Sequence, residues 1–249
     1  QNARLALVEE LGEKVDSLHL SSPELAEFLR ESRSDADNDR ALALAMQRSK
    51  ATIVLGYFFH MNEADLGYKL DRAGLARQLS AIVDSKYPIV LFADQSAMKV
   101  PFRKAYAPQG NLDILISAAS SSGHFNVAPD PDGIVRWAPL VIQAGDDLFP
   151  PISVLAYWHY LGKPQLAVRV QSDGIEGVQV GDRLIATDET GQMLINYRGP
   201  PKTFAHYAIS DILGGKVPAG AAHAAAQQPS GGGGGFGRWA AGCRRAVAP

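Results

Sequence analysis

The stretch GHFNVAPDPDGIVRWAPL, from Gly123 to Leu140, contains a strong turn signal. Its centre is the run Asp130-Pro131-Asp132-Gly133, which lies between two short apolar segments, His124–Val127 and Ile134–Ile142. Proline presets φ for the first central position of a type I turn, and glycine tolerates a positive φ where the chain leaves the turn. The pattern therefore predicts a β-hairpin in which these two segments are the paired strands.

Patterns on both sides of this stretch predict an α/β domain. The uninterrupted apolar run Ala51–Phe59 is typical of a strand that is covered on both faces. A helical pattern, Arg72–Asp84, and a strand pattern, Ile89–Ala93, follow it, so we predict a βαβ unit with a right-handed crossover. Four later strands are predicted, of which the last three form a meander: Gln165–Val170, Gly177–Val180, Arg183–Thr187 and Gln192–Tyr197. The predicted fold is a mixed central sheet with helices on its faces and an antiparallel hairpin and meander in the second half.

Helix signals occur before and after these strands. Ser22-Pro23-Glu24 combines a capping serine, a proline at the first helical position and a carboxylate near the positive helix end. Further helices are predicted at Arg40–Arg48, from Asn111 through Ile116, from Pro150-Pro151 through Leu161, and at Ile209–Leu213. The segment between Ala97 and Gln109 carries Lys99, Arg103 and Lys104. It is either a basic loop that faces a ligand or, as we favour, a solvated connection.

Composition limits the classes of function. The chain has 249 residues, 46% of them apolar and 20% charged, which is ordinary for a globular protein that buries a sizeable core. A net charge of −2 without a basic run argues against nucleic-acid or anionic-membrane binding. The single cysteine, Cys243, excludes an internal disulfide. No run of about 18 apolar residues occurs, and the start resembles no signal peptide and lacks Met. We expect a piece of a longer protein, or else a cytosolic protein with a trimmed terminus.

The sequence contains no recognisable catalytic or metal-binding motif. Asp35, Asp37 and Asp39 resemble the start of a calcium loop, but glycine is missing at the sixth position and Met46 stands at the twelfth. We expect these acids to solvate a loop and cap the next helix. The six histidines lie apart from one another, without a nucleophile elbow or a zinc pattern. We therefore expect no metal, no cofactor and no catalysis in this chain.

Several motifs, in their order and spacing, resemble the CHASE2 sensor domains of bacterial receptors. In that family a Gly-Phe-x-Asn strand is followed by an Asp-Gly turn, then by arginine and Pro-Leu, and later by Asn-Tyr-x-Gly, Phe-x-x-Tyr and Asp-x-Leu segments. The residues that resemble these positions are Gly123, Phe125 (one residue late, behind His124), Asn126, Asp132, Gly133, Arg136, Pro139, Leu140, Asn196, Tyr197, Gly199, Phe204, Tyr207, Asp211 and Leu213. The resemblance covers roughly residues 37–217.

The resemblance implies an extracytoplasmic, periplasmic sensor for an unknown small molecule or stimulus, dimeric and joined to inner-membrane helices that are absent from this chain. Such receptors carry a nucleotide cyclase, histidine kinase or other output domain, and an adenylate cyclase is our first choice. One alternative is a soluble α/β enzyme or small-molecule binder with an unrecognised site, and another is a cell-envelope interaction module without a ligand. We assign residues 1–218 to the sensor domain. Residues 219–249, with Gly231–Gly235, are expected to be a disordered or non-native tail in place of the family's last strand.

Four residues are candidates for ligand binding. Arg136 and Arg198 lie at predicted strand ends and are able to clamp a carboxylate or phosphate. Their structural alternative, which we favour, is an ion pair with a turn aspartate such as Asp132 or a hydrogen bond to carbonyls. Trp137 and Tyr197 either line a pocket or, more commonly for such residues, anchor the core.

Overall fold

A computed structural model describes residues 3–20, 22–199 and 206–216. Seven α-helices lie in these ranges: α1 (Ala3–Ser17), α2 (Pro23–Ala36), α3 (Asn38–Arg48), α4 (Arg72–Ile82), α5 (Asp113–Ile116), α6 (Ile152–Tyr160) and α7 (Ile209–Leu213). The described strands are β1 (Val54–His60), β2 (Ile89–Phe92), β3 (Ala107–Gln109), β4 (Ser121–His124), β5 (Trp137–Pro139), β6 (Ile142–Ala144), β7 (Asp147–Phe149), β8 (Leu166–Gln171), β9 (Gly174–Val180), β10 (Arg183–Ala186) and β11 (Gln192–Leu194). The predicted α/β class is confirmed.

The helix starts follow from local capping chemistry. Ser22 accepts a hydrogen bond from the N–H of Leu25 at 3.2 Å, and it thereby satisfies a free donor at the start of α2. Asp37 does the same for α3, because its carboxylate accepts from the N–H of Arg40 at 3.0 Å. The expected capping role of the acidic segment is confirmed for Asp37. No helix in the described part of the chain is long and apolar enough to cross a bilayer.

The first sheet has the order β3-β1-β4, and its central strand is the predicted apolar run. β1 pairs with β4 in parallel and with β3 in antiparallel register. This arrangement shows that the predicted hairpin was wrong: His124 lies in β4, and the segment after the Asp-Gly turn pairs elsewhere. The solvated connection predicted for residues 97–109 was also wrong in part, since Ala107 is fully buried in β3.

The second sheet has the order β10-β9-β8-β2. β8, β9 and β10 form an antiparallel meander, and β2 adds to β8 in parallel. The predicted βαβ unit was wrong, because β1 and β2 belong to different sheets although α4 lies between them in sequence. The meander prediction was right for β9 and β10, but it extended too far. The last strand, β11, leaves this sheet.

The described residues also form two separate two-stranded antiparallel sheets. β11 pairs with β5, and β6 pairs with β7 across the turn at Gly145. The core consists of two clusters, one around β8, β9 and α6 and the other around β1, α4 and β7. Val154 and Leu155 of α6 are buried in the first cluster. These two residues of α6 therefore belong to the core.

Candidate functional site

The Asp-Gly segment forms a tight turn outside the sheets. The N–H of Gly133 donates to the carbonyl of Asp130 at 2.8 Å, and the N–H of Asp130 donates to the carbonyl of Ile134 at 2.9 Å. Gly133 has a φ of 81°, a conformation that suits glycine. The side chain of Asp132 accepts from the N–H of Ile134 at 3.1 Å. The turn is confirmed, while the strands on either side of it pair with other partners.

Arg136 is held by the two aspartates of this turn. Its Nη1 donates to Asp130 at 2.8 Å and to Asp132 at 2.9 Å, and its Nη2 donates to Asp132 at 2.7 Å. The hydrogen bonds that Arg136 donates hold the pKa of the Asp132 carboxyl below its usual value, and acceptance of these bonds by Asp132 and Asp130 raises the pKa of Arg136. The bidentate face of the guanidinium is thus occupied by protein carboxylates. The structural interpretation of Arg136 accounts for its contacts.

The structure brings Trp137 and Tyr197 close to Arg136 and leaves Arg198 apart from the ion pair. Trp137 is half-buried in β5 opposite Leu194. Tyr197 is 62% exposed, and its hydroxyl donates to the carbonyl of Val135 at 2.6 Å. Arg198 is exposed, and no side-chain hydrogen bond or ion pair among the described residues involves it. The guanidinium of Arg136 therefore holds the turn together, and the phenol of Tyr197 fastens the segment after β11 to the chain beside that turn. These contacts favour a structural role over ligand contact.

The motif residues of β4 fasten this strand to its neighbours. Gly123 lies opposite Gly56, and a Cβ at Gly123 would lie 2.7 Å from the backbone nitrogen of Ile152 in α6. The side chain of Asn126 accepts from the N–H of Phe59 and donates to its carbonyl, both at 2.8 Å. An amide that makes both bonds continues the strand pairing by one residue. These motif positions have a structural role.

The register of the motif differs from our prediction. His124 is fully buried against Phe59, whereas Phe125 is 51% exposed and lies over Gly56. Because side chains alternate along a strand, the buried position directly after Gly123 belongs to His124. The Gly-Phe-x-Asn pattern then fits without an inserted residue, with histidine at the phenylalanine position and Phe125 at the variable one.

The remaining motif residues lie near the end of the described chain. Asn196 is exposed, and Gly199 has a φ of 130°. Tyr207 is 42% exposed, and Asp211 in α7 lies 3.8 Å from the Nζ of Lys216. Phe204, the expected tail 219–249, Gly231–Gly235 and Cys243 lie outside the described residues. Their predictions and the domain boundary at 218 remain predictions.

One histidine is less isolated than its sequence position indicated. The Oγ of Ser121 in β4 lies 2.8 Å from the Nε2 of His159 in α6. Partial burial and the nearby charge of Lys163 lower the pKa of this imidazole. Sequence spacing gave no signal for the pair, because 38 residues separate the partners. Within the described ranges no group of three His, Cys, Asp or Glu side chains is placed to hold a metal ion.

A cleft of about 300 Å³, lined by both polar and apolar residues, lies at the carboxyl ends of the parallel strands β2 and β8. Loops after parallel strands are common locations of ligand sites in α/β proteins. The lining residues come from three segments: Ser96, Lys99, Val100 and Pro101; Ser172, Asp173 and Gly174; Glu189 and Thr190. The first segment belongs to the 97–109 region, so the ligand-facing alternative for that region gains support at Lys99.

Two aspartates fix the walls of this cleft. Asp94 accepts from the N–H and the Oγ of Ser96, both at 2.7 Å. Asp188 accepts from the N–H of Thr190 at 3.0 Å, from its Oγ1 at 2.9 Å and from the N–H of Gln192 at 2.8 Å. The backbone N–H of Ala97 is the main cause that lowers the pKa of Asp94. The repeated Asp-x-Ser/Thr pattern after a strand is the sequence signal that our prediction missed.

The fold and the cleft define an α/β domain whose loops line a small cleft at the carboxyl ends of two parallel strands. A family model described as CHASE2 domain matches residues 15–228, which is most of the chain. The chain belongs to the CHASE2 family, as its motifs indicated. CHASE2 domains are extracellular or periplasmic sensor domains of membrane receptors and are sensory, not catalytic. No curated protein and no solved structure matches the chain.

Proposed function

We propose that this chain is the periplasmic stimulus-sensing domain of a bacterial transmembrane receptor with a cyclase or kinase output. The observation that supports this proposal is the family match over residues 15–228, together with the α/β fold that the strand and helix patterns of the sequence predicted. A sensor needs two states that a stimulus binds unequally, and a tenfold preference corresponds to about 1.4 kcal/mol. The receptor would carry the shift to its flanking membrane helices.

The topology of the receptor is tested by reporter fusion. The natural gene is fused after residue 216 either to alkaline phosphatase, which is active only outside the cytoplasm, or to green fluorescent protein, which folds poorly when exported unfolded. We expect active phosphatase and a dark fluorescent fusion. An inactive phosphatase with a bright fluorescent fusion contradicts the proposal and favours the soluble α/β alternative.

The class of output is tested on the full-length protein in nanodiscs. Incubation with ATP distinguishes an adenylate cyclase, which releases cyclic AMP, from a histidine kinase, which retains the γ-phosphate on protein. We propose the cyclase. A phosphorylated receptor without cyclic AMP would reject the cyclase and keep the sensing role, whereas no activity of either kind would count against both outputs.

We also propose that the receptor is a homodimer. Helices α1 and α2 pack on each other and leave Leu7, Leu11 and Phe28 more than half exposed. A second copy of this helix pair would cover these side chains by symmetric packing. Light scattering on the purified full chain should give the dimer mass, and Leu11→Glu should give the monomer mass. The control Glu10→Gln changes an exposed neighbour and should remain dimeric, and a monomeric wild type would contradict the proposal.

We further infer that the Ser121 and His159 pair is not a catalytic dyad. A serine nucleophile requires a base that a third group orients, together with donors for an oxyanion. Among the described residues no acidic side chain hydrogen-bonds to His159. We expect an alkyl fluorophosphonate probe to leave Ser121 unlabelled, with Ser121→Ala as the matched control. Labelling that is lost in Ser121→Ala would favour the enzyme alternative.

A further inference from the structure

The cleft between the 96–101, 172–174 and 188–190 segments contains charged groups without protein partners. Lys99, Asp173 and Glu189 all line it. Within the described part of the chain no ion pair or hydrogen bond involves the Lys99 ammonium or the two carboxylates. Nearby charges are engaged instead, since Arg169 pairs with Glu176 at 2.9 Å. The cleft thus presents one cation and two anions to whatever enters it.

The walls that hold these charges are tied to the sheet. The carbonyl of Glu189 accepts from the N–H of Ile175 at 3.0 Å, which fixes this residue beside β9. A Cβ added to Gly174 would lie 2.5 Å from the Cβ of Glu189, so the close approach of the two segments requires glycine there. Lys99 follows the turn that Asp94 fixes. The charged groups therefore project from backbone segments that are already ordered without a ligand, which lowers the entropy cost of binding.

We propose that this cleft binds a small zwitterion, namely an α-amino acid with a short side chain. Lys99 would pair with the ligand's carboxylate, and Asp173 or Glu189 would pair with its ammonium group. Val100 and Pro101 supply apolar surface for a short aliphatic side chain. A volume of about 300 Å³ is at the small end of ligand sites and corresponds to roughly ten non-hydrogen atoms.

Other ligand classes fit the same groups less well. A divalent cation prefers several carboxylates and is repelled by an ammonium group, and Lys99 lines the same space as Asp173 and Glu189. A phosphate or dicarboxylate would be attracted by the one cation of the cleft, Lys99, but repelled by its two carboxylates. An apolar ligand would remove the water from all three charges without replacing it. A ligand that carries both signs is able to pair its carboxylate with Lys99 and its ammonium group with at least one of the two carboxylates.

This inference rests on the proposed sensing role and is tested on the purified full chain by calorimetric titration. The probes are glycine, L-alanine and L-serine, with propionate and ethylamine as matched probes that carry only one of the two charges. We expect at least one amino acid to bind and both single-charge probes to bind about tenfold more weakly or not at all, because each charge-assisted bond is lost separately.

Variants locate the binding site. Lys99→Met, and Asp173→Asn combined with Glu189→Gln, should each weaken amino-acid binding about tenfold or more. The control Lys86→Met removes an ammonium that pairs with Asp147 at 2.9 Å outside the cleft, and it should bind as the wild type does. Denaturant unfolding of every variant checks that the fold is kept.

Two results would overturn the inference. One is no binding of any of the three amino acids at about 1 mM, and the other is binding that the cleft variants leave unchanged. The latter would place the ligand elsewhere while the sensing role stands. Binding in the cleft combined with a cytoplasmic reporter result would reject the receptor proposal and leave the zwitterion site in place, so the two failures are distinguishable.

Discussion

The imidazole of His124 is buried without hydrogen-bond partners for its ring nitrogens. The ring centroid lies 5.9 Å from that of Phe59, and the residue is fully buried. Desolvation lowers the pKa of His124 to about 3. The backbone of Phe149 lies near the ring and raises this pKa by a smaller amount, although it forms no well-aligned hydrogen bond with either ring nitrogen. The folded protein therefore holds the ring neutral at pH values where the unfolded chain binds a proton.

Because the unfolded chain binds a proton at His124 more readily than the folded chain does, the domain becomes less stable in acid. A histidine in the unfolded chain has a pKa of about 6.5, so the stability that neutral His124 contributes is lost as the pH falls from about 6.5 toward about 3. With these two values the free energy of unfolding decreases by about 2 kcal/mol between pH 7 and pH 5, and by about 3 kcal/mol at pH 4. Other groups add to the total, so a variant is needed to isolate this contribution.

His124→Phe removes the titrating group and restores the aromatic residue of the family motif. Urea unfolding at pH 7, 5 and 4 should show a smaller loss of stability in acid for this variant than for the wild type, by the amounts given above. At pH 7 the variant should be as stable or more stable, because no buried polar atom is left unpaired. His60→Gln is the control, since the ring of His60 reaches Gln109 at an exposed site.

If the free energy of unfolding falls equally in acid for the wild type and for His124→Phe, this reasoning is refuted. Equal decreases would mean that unfolding of the wild type is not coupled to proton binding at residue 124. If the larger ring does not fit, His124→Leu offers a smaller apolar side chain with the same expected pH dependence.

Other predictions concern the motif residues. Asn126→Ala removes two hydrogen bonds to β1 and should lower the free energy of unfolding by about 1–3 kcal/mol in urea; a loss near zero would contradict the strand-extending role. Gly123→Ala places a Cβ 2.7 Å from a backbone nitrogen and should cost about 1–3 kcal/mol, whereas Gly12→Ala, with open space around it, should cost nothing. Arg136→Gln should raise the pKa of Asp132, as followed by carboxyl NMR titration; an unchanged pKa would show that the ion pair is absent in solution.

Local features of the fold were predictable from the sequence, whereas strand partners were not. The cap at Ser22, the turn at Gly133 and the apolar run of β1 depend on residues within a few positions of one another. Pairing depends on distant segments: β1 finds its parallel partner in β4, and β5 finds β11. A strong turn flanked by apolar segments predicts a hairpin only if both flanks lack better partners. Here β1 and β11 are those partners.

In the candidate site, too, local contacts were predictable from the sequence and contacts between distant segments were not. Arg136 was identified because it follows an Asp-Gly turn, and that proximity is also why its guanidinium is satisfied by Asp130 and Asp132. Ser121 and His159 went unnoticed because their contact depends on α6 packing against β4. No sequence pattern places residues 96–101, 172–174 and 188–190 around one space. The parallel pairing of β2 with β8 creates that arrangement.

Ligand binding in the cleft is also able to affect β11, which directly follows the cleft residues in the chain. Glu189 and Thr190 line it, and Gln192, the first residue of β11, donates its N–H to the same Asp188 that orders Thr190. β11 pairs with β5, and Tyr197 then fastens the outgoing chain to Val135. If a ligand binds one arrangement of the 188–190 turn more tightly than another, it shifts the equilibrium between the two arrangements, and with it the position of β11. The size of that shift is limited by the difference between the two affinities. A cleft ligand that stabilises the domain yet leaves the output unchanged would therefore bind both arrangements equally, and the receptor's stimulus would have to act elsewhere.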